Sequence, residues 1–267
     1  GAVLSYVENL WQVISIVGSR YDVDTKWPAG FDPMTAGAVL VDEDNCPEAD
    51  VSEEVTGYYT DAKTGLEMIP IPAGEFLYGE DNRLDYLPDY WIAKTPVTNG
   101  HYFRFIRETG HEPPAHWEGE SPRAEIADHP VVHVSYADAV AYAEWAGLAL
   151  PGEKEWEKAA RGTDGRIYPW GNAWVEGNCN TKESGIGTTT PAGHFSPQGD
   201  SPYGCVDMTG NVYDWTPAWF DEEEDWRVLR GGSWEFDQDI ARATTRDGTP
   251  QTDRIKDIGF RVVRRSG

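Results

Sequence analysis

At 267 residues the chain is long enough to bury a sizeable core, as one large domain or as a domain with an appendage. Twelve Trp and thirteen Tyr beside 28 Gly and 18 Pro imply many short elements and loops around an aromatic interior, which argues against a helical bundle. Forty-six acids against 22 bases give a formal charge of −24, so nucleic acid is a poor partner and cations or basic partners are favoured.

In chain order, Val3, Leu4, Val7, Leu10, Trp11, Ile14 and Val17 recur at three- and four-residue steps, predicting an amphipathic helix over 2–18 that ends at Gly18. Such a stripe packs on the domain behind it or docks a partner. The run 42–54 holds acids and no base, and residues 1–60 are expected to be an N-terminal helix followed by an acidic arm. From Leu66 to Phe76 the pattern predicts a strand, a Pro-Gly turn and a second strand as a hairpin. Helices follow behind Thr98 (to Gly110), behind Ser135 with Asp138 in the reciprocal capping position (to Gly147), and over Glu153 to Ala160. Beyond Gly162 the chain is turn-rich with short strands, and helices followed by strands predict an α+β class.

Cys46, Cys179 and Cys205 are odd in number and lack CxxC spacing, which argues against a disulfide framework or structural zinc. A cytoplasmic setting fits that usage somewhat better than a secreted one. No apolar run approaches the roughly eighteen residues of a membrane span. His129 and His133 would share one face of a strand with Val131, as edge structure or, less readily, as metal ligands.

Several segments carry a resemblance. Met68 to Phe76, Lys94-Thr95-Pro96-Val97-Thr98-Asn99, Leu150-Pro151-Gly152-Glu153-Lys154-Glu155-Trp156, Tyr168-Pro169-Trp170-Gly171-Asn172, Met208-Thr209-Gly210-Asn211-Val212-Tyr213-Asp214-Trp215, Arg230-Gly231-Gly232-Ser233-Trp234 and Gly259-Phe260-Arg261 occur in the order of the formylglycine-generating-enzyme, or sulfatase-modifying-factor, domain. The resemblance covers about 66–263 and implies a C-type lectin fold for 61–267: a small twisted antiparallel sheet, two or three helices and long loops. Gly152 departs from the family's usual Thr, a weaker cap by a few tenths of a kcal/mol.

Catalytic members, by that resemblance, carry two copper-binding cysteines three and eight residues after the Ser of Arg-Gly-Gly-Ser. Here those positions are Phe236 and Ala241, so no catalytic residue and no catalytic cofactor are expected. The family's calcium loop would take ligands from the side chains of Asp207 and Asp214 and the carbonyls of Gly210 and Val212; an ordinary Asx turn is the alternative. A second calcium site would use Asn178 and the carbonyls of Cys179 and Ile186, with Ser184 where an acid is needed.

The span 235–257 lacks hydrophobic periodicity. A long polar span between strands is the layout of a binding surface on a rigid frame. The resemblance is strongest to the variable proteins of diversity-generating retroelements, which keep the frame without the cysteines. It implies a diversified surface for a protein or other macromolecular ligand, drawn from Trp234, Glu235, Phe236, Asp237, Asp239, Ile240, Thr245, Asp247, Gly248, Thr249, Thr252, Asp253, Arg254, Lys256 and Asp257. The competing readings are an oxidase of partner-protein cysteines and a non-diversified structural or regulatory domain.

Overall fold

A computed structural model describes residues 57–222 and 225–266 with their side chains, together with the backbone of three N-terminal strands. The chain divides into two units, Gly1–Glu54 and Val55–Gly267. The first contains β1 (Val3–Tyr6), β2 (Arg20–Lys26) and β3 (Val39–Leu40), paired in parallel in that order. This corrects the helix expected over 2–18 at its start: Val-Leu-Ser-Tyr is a short apolar run that fits a strand as well as a helical turn, and periodicity alone does not separate the two. Residues 7–19 and the acidic run 42–54 lie outside the described residues.

The second unit begins earlier than residue 61, because β4 (Tyr59–Thr60) already pairs with β5 (Glu67–Ile71). β5 is flanked on its other side by β8 (Tyr90–Ala93), and β13 (Val263–Arg265) closes the order β13-β8-β5-β4. Both edges of β5 are therefore taken, and the expected hairpin does not form. β6 (Gly74–Tyr78) pairs instead with β7 (Arg83–Leu87) as a separate two-stranded ribbon.

Three helices follow. α1 (Asn99–Thr109) is capped by Thr98, whose hydroxyl takes the His101 N–H, and stops at Gly110 in the left-handed region (φ 72°). α2 (Tyr136–Ala146) carries the full reciprocal cap between Ser135 and Asp138 and stops at Gly147. α3 (Glu153–Arg161) has only a Gly at its N-cap, and the Glu155 carboxylate serves the Gly152 N–H at 2.7 Å.

A second four-stranded sheet has the order β11-β10-β9-β12, formed by β9 (Tyr213–Trp219), β10 (Trp226–Arg230), β11 (Arg246–Pro250) and β12 (Ile258–Gly259). β11 lies inside the span expected to be irregular, in register with β10 from Trp226↔Pro250 to Arg230↔Arg246. The core holds Met68, Ile71, Ile92, Tyr102, Tyr142, Trp156, Trp215, Phe260 and Val262, all under 2% exposed. Tyr102 stacks on Tyr142 at 5.8 Å, and Phe260 meets both rings edge-on, so the final strands are tied to α1 and α2 by aromatic contact.

Candidate functional site

Two buried guanidinium groups bracket the C-terminal span. Arg230, fully buried at the end of β10, donates from Nη2 to Glu157 Oε2 at 2.6 Å and to the Ala243 carbonyl at 2.8 Å, and from Nη1 to the Thr244 carbonyl at 3.2 Å. Glu157, one turn from Arg161 on α3, takes Arg161 Nη1 at 3.0 Å and the Gly79 N–H at 2.7 Å on its other oxygen. Arg261, also fully buried, donates Nε to Asp214 Oδ2 at 2.6 Å and its remaining N–H groups to carbonyls that include Ala93, Val206 and Asp207. A buried charge persists only when paired and hydrogen-bonded. Both meet that condition, and through Ala243 and Thr244, Val206 and Asp207 they fix backbone that has no regular structure of its own.

Between these anchors Gly231 and Gly232 lie at φ 97° and 72°, and a Cβ on Gly231 would stand 3.0 Å from the Trp156 ring. Only Gly makes that turn at low cost. Ser233 Oγ then donates to Asp257 Oδ2 at 2.5 Å, closing the base of the span. Burial, the larger influence, raises the Asp257 carboxyl above the usual range against the downward pull of the Ser233 bond.

On this frame Glu235, Phe236, Asp237, Asp239, Thr252, Arg254 and Lys256 are exposed, and Trp234, Ile240, Thr245, Asp247, Gly248 and Asp253 are half-buried. Two expected surface residues are not on the surface. Thr249 is buried on β11 with its hydroxyl on Asp253 at 2.9 Å, and Asp257 is buried beneath Ser233. A polar residue type is no guarantee of exposure when a neighbour satisfies its hydrogen bonds. Other members are engaged as well as visible. Arg254 grips Asp138 with two bonds at 2.9 and 3.1 Å, Asp247 accepts the Tyr213 hydroxyl at 3.0 Å, and Lys256 meets Glu235 at 3.0 Å. Phe236 packs edge-on against Tyr213 at 5.6 Å yet remains 38% exposed, so an apolar ring stands among charges.

Residues 56–266 match the Sulfatase-modifying factor enzyme 1-like domain. The chain belongs to this family. It is 32% identical over 267 residues to the Inactive C-alpha-formylglycine-generating enzyme 2 of Mus musculus, an alignment covering 75% of this chain and 86% of that protein. It is 41% identical over 143 residues to the Formylglycine-generating enzyme of Thermomonospora curvata, covering 47% of this chain and 46% of the enzyme. Among solved structures, PvdO of Pseudomonas aeruginosa superposes with a TM-score of 0.66 at 25% identity, covering 79% of this chain and 98% of that one. Variable protein 1 of Treponema denticola does so with a TM-score of 0.65 at 21% identity, covering 79% and 99%. The expected fold is thereby established, and one sulfatase-modifying-factor relative bears the name of an inactive protein while another bears the name of an enzyme.

The cysteines of this sulfatase-modifying-factor domain are poor nucleophiles. Burial pushes the Cys179 thiol up to about 12 and the Cys205 thiol up to about 11, and both are free and buried. The expected calcium loop fits an ion in part. Asp214 Oδ2 is taken by Trp156 Nε1 and Arg261, whereas Asp214 Oδ1 is buried without a partner, which is the donor a hard cation would use. Asp207 holds the Gly193 N–H and Asn211 Nδ2, each at 3.1 Å. At the second expected site Ser184 brings no carboxylate and gives its hydroxyl to Asn180 Oδ1 and the Thr181 carbonyl. Among the described residues no group of three or more His, Cys, Asp and Glu is placed to hold a metal ion.

His129 and His133 are not on a strand as expected. His133 sits at φ 58° in irregular chain, and only Pro130 makes an isolated bridge, to Thr98. The bend turns both imidazoles into a cleft that Trp234 and Lys256 also line. Sequence patterns missed the anchors Glu157, Arg230 and Arg261. The available signal was charge inside otherwise apolar motifs, where an ionised group has to be paired.

Proposed function

We propose that this domain is a non-catalytic binding protein that displays the exposed side chains of 234–256 to a protein or other macromolecular ligand, and that this surface is diversified. One observation supports the reading: Phe236, exposed and packed on Tyr213, and Ala241, 1% exposed, stand where the family resemblance would put the copper-binding thiols. Neither side chain can ligate a metal or cycle a thiol, while the backbone that would have presented them is pinned by Arg230 and by Ser233 with Asp257. A pre-ordered surface avoids much of the ordering cost of association. Phe236, flanked along the chain by the exposed Glu235, Asp237 and Asp239, has the makeup of an apolar contact with a charged rim. The name of the mouse relative supports a non-catalytic role, and the likeness to the Treponema protein supports a fold suited to display.

Copper titration in the presence of a cysteine-containing peptide tests the reading. No thiol-dependent copper binding and no oxygen consumption are expected, and either one would overturn it in favour of an oxidase. A near-copy of the 3′ end of the gene, differing at adenines beside a reverse-transcriptase gene, is the expected mark of diversification.

A further inference from the structure

The cleft behind Trp234 has a volume of about 460 Å³ and is lined by Arg123, His116, His129, His133, Trp234 and Lys256 among others. In a chain with 46 acids and 22 bases, no Asp or Glu lines it. Glu235 stands outside and holds Lys256 at 3.0 Å, and the neighbouring Asp128 influences His129. The exposed Arg123 makes no salt bridge among the described residues.

Two lining side chains have buried ring nitrogens without partners, Trp234 Nε1 and His116 Nδ1. An indole N–H only donates, so Trp234 calls for an acceptor. The state of His116 follows from Asn99. Its amide nitrogen donates to the carbonyls of Ile126, His129 and Pro130, which leaves its oxygen to accept Trp117 Nε1 at 2.8 Å and to face His116 Nε2 at 3.2 Å. His116 Nε2 therefore carries the proton, and His116 Nδ1 becomes a second donor into the cleft once it is protonated. His133, with ring centroids 5.2 Å from His116, points Nδ1 at the Arg254 carbonyl at 3.3 Å and so keeps Nε2 for the same use.

We propose that this cleft binds a carboxylate of the displayed surface's ligand, held by Arg123, Lys256 and the Trp234 indole N–H, with a proton taken up at His116. The proposal deepens the reading above and rests on it for the ligand being macromolecular. Glu235 already offsets Lys256, so before binding one unbalanced fixed cation remains, and the proton taken up on binding adds a second positive group beside the carboxylate. A buried imidazole resists charging until an anion arrives: burial first, then His133, lowers His116 to about 4.

The Trp234 indole N–H resonance, assigned with Trp234→Phe, reports on the site while N-acetylglutamate, its uncharged diamide and inorganic phosphate are titrated into the full chain. The acid should move that resonance and the His116 ring signals, the diamide should not, and phosphate should bind more weakly. Calorimetry in buffers of different ionisation enthalpy should show proton uptake with the acid. Arg123→Gln, at an exposed position, should weaken the acid about tenfold, the loss of one charge-assisted contact. A silent Trp234 resonance, equal response to the diamide, tighter phosphate binding, or an undiminished response in a folded Arg123→Gln would each overturn the proposal. Copper-dependent thiol oxidation would instead overturn the display reading and is read separately from this titration.

Discussion

Replacing Arg230 with Met tests whether the C-terminal span is held from beneath. The substitution keeps the bulk of the stem but removes the bonds to Glu157 Oε2 and to the Ala243 and Thr244 carbonyls. Breaking a buried pair by deleting one partner costs about 3–5 kcal/mol. Glu157 keeps Arg161 and the Gly79 N–H on its other oxygen, which places the expected loss at the lower end, about 3 kcal/mol. For a domain of this size that lowers the unfolding midpoint by about 6–12 °C. Urea unfolding followed by Trp fluorescence gives the magnitude, and amide exchange gives the location. Protection should fall first around Ala243, whose N–H bonds the Ile167 carbonyl at 2.9 Å. Adding Glu157→Leu should deepen the loss, because it also strips buried Arg161 of its carboxylate partner and the Gly79 N–H of its acceptor. A loss below about 1 kcal/mol in the single variant would refute the claim that the ion pair anchors the span.

Two further outcomes follow from the site. Arg254 is about half exposed, so Arg254→Gln should cost only about 0.5–1 kcal/mol near neutrality, read by thermal unfolding. Its effect should shrink in acid. Desolvation acts upward on the Asp138 carboxyl, but the bonds from Arg254, Ser135 and His111 overcome it and hold the group below the usual 3.8. The resulting stability is fully present above that value and is lost as pH falls through the lower folded value. Gln at 254 should therefore move acid unfolding, followed by circular dichroism, to higher pH. We also propose that Ca²⁺ binds at Asp207 and Asp214. It should raise the unfolding midpoint, with reversal by a chelator and loss in Asp207→Asn, and insensitivity to Ca²⁺ would mean that Arg261 and Trp156 alone serve Asp214.

The three helices were legible because their signals are local. Thr98, Ser135 with Asp138, and the glycines at 110, 147 and 162 each act within one turn of the chain they cap. Pairing was not legible, because it depends on what reaches a strand from elsewhere. Glu67–Ile71 and Gly74–Tyr78 are both strands, but β4 and β8 claim the first and β7 the second. The strand at Arg246–Pro250 carried no alternation to reveal it. It is an edge strand holding a Gly and a Pro, and its pairing with β10 places Gly248 where a Cβ would meet the Phe220 ring at 2.4 Å.

The same distinction limits which displayed positions are free to change. Thr249 and Asp257 are spent on hydrogen bonds inside the frame, and Arg254 props the cap of α2 through Asp138, so substitution there trades stability for any new contact. Glu235, Phe236, Asp239 and Thr252 make no bond that holds an element of the fold, although Glu235 and Asp239 meet Lys256 and Arg242 on the surface. Exposed substitutions of that kind usually fall within about 0.5 kcal/mol. The surface able to vary without unfolding is therefore narrower than the polar span suggests. It is centred on Phe236, with Lys256 and Trp234 leading from it into the acid-free cleft.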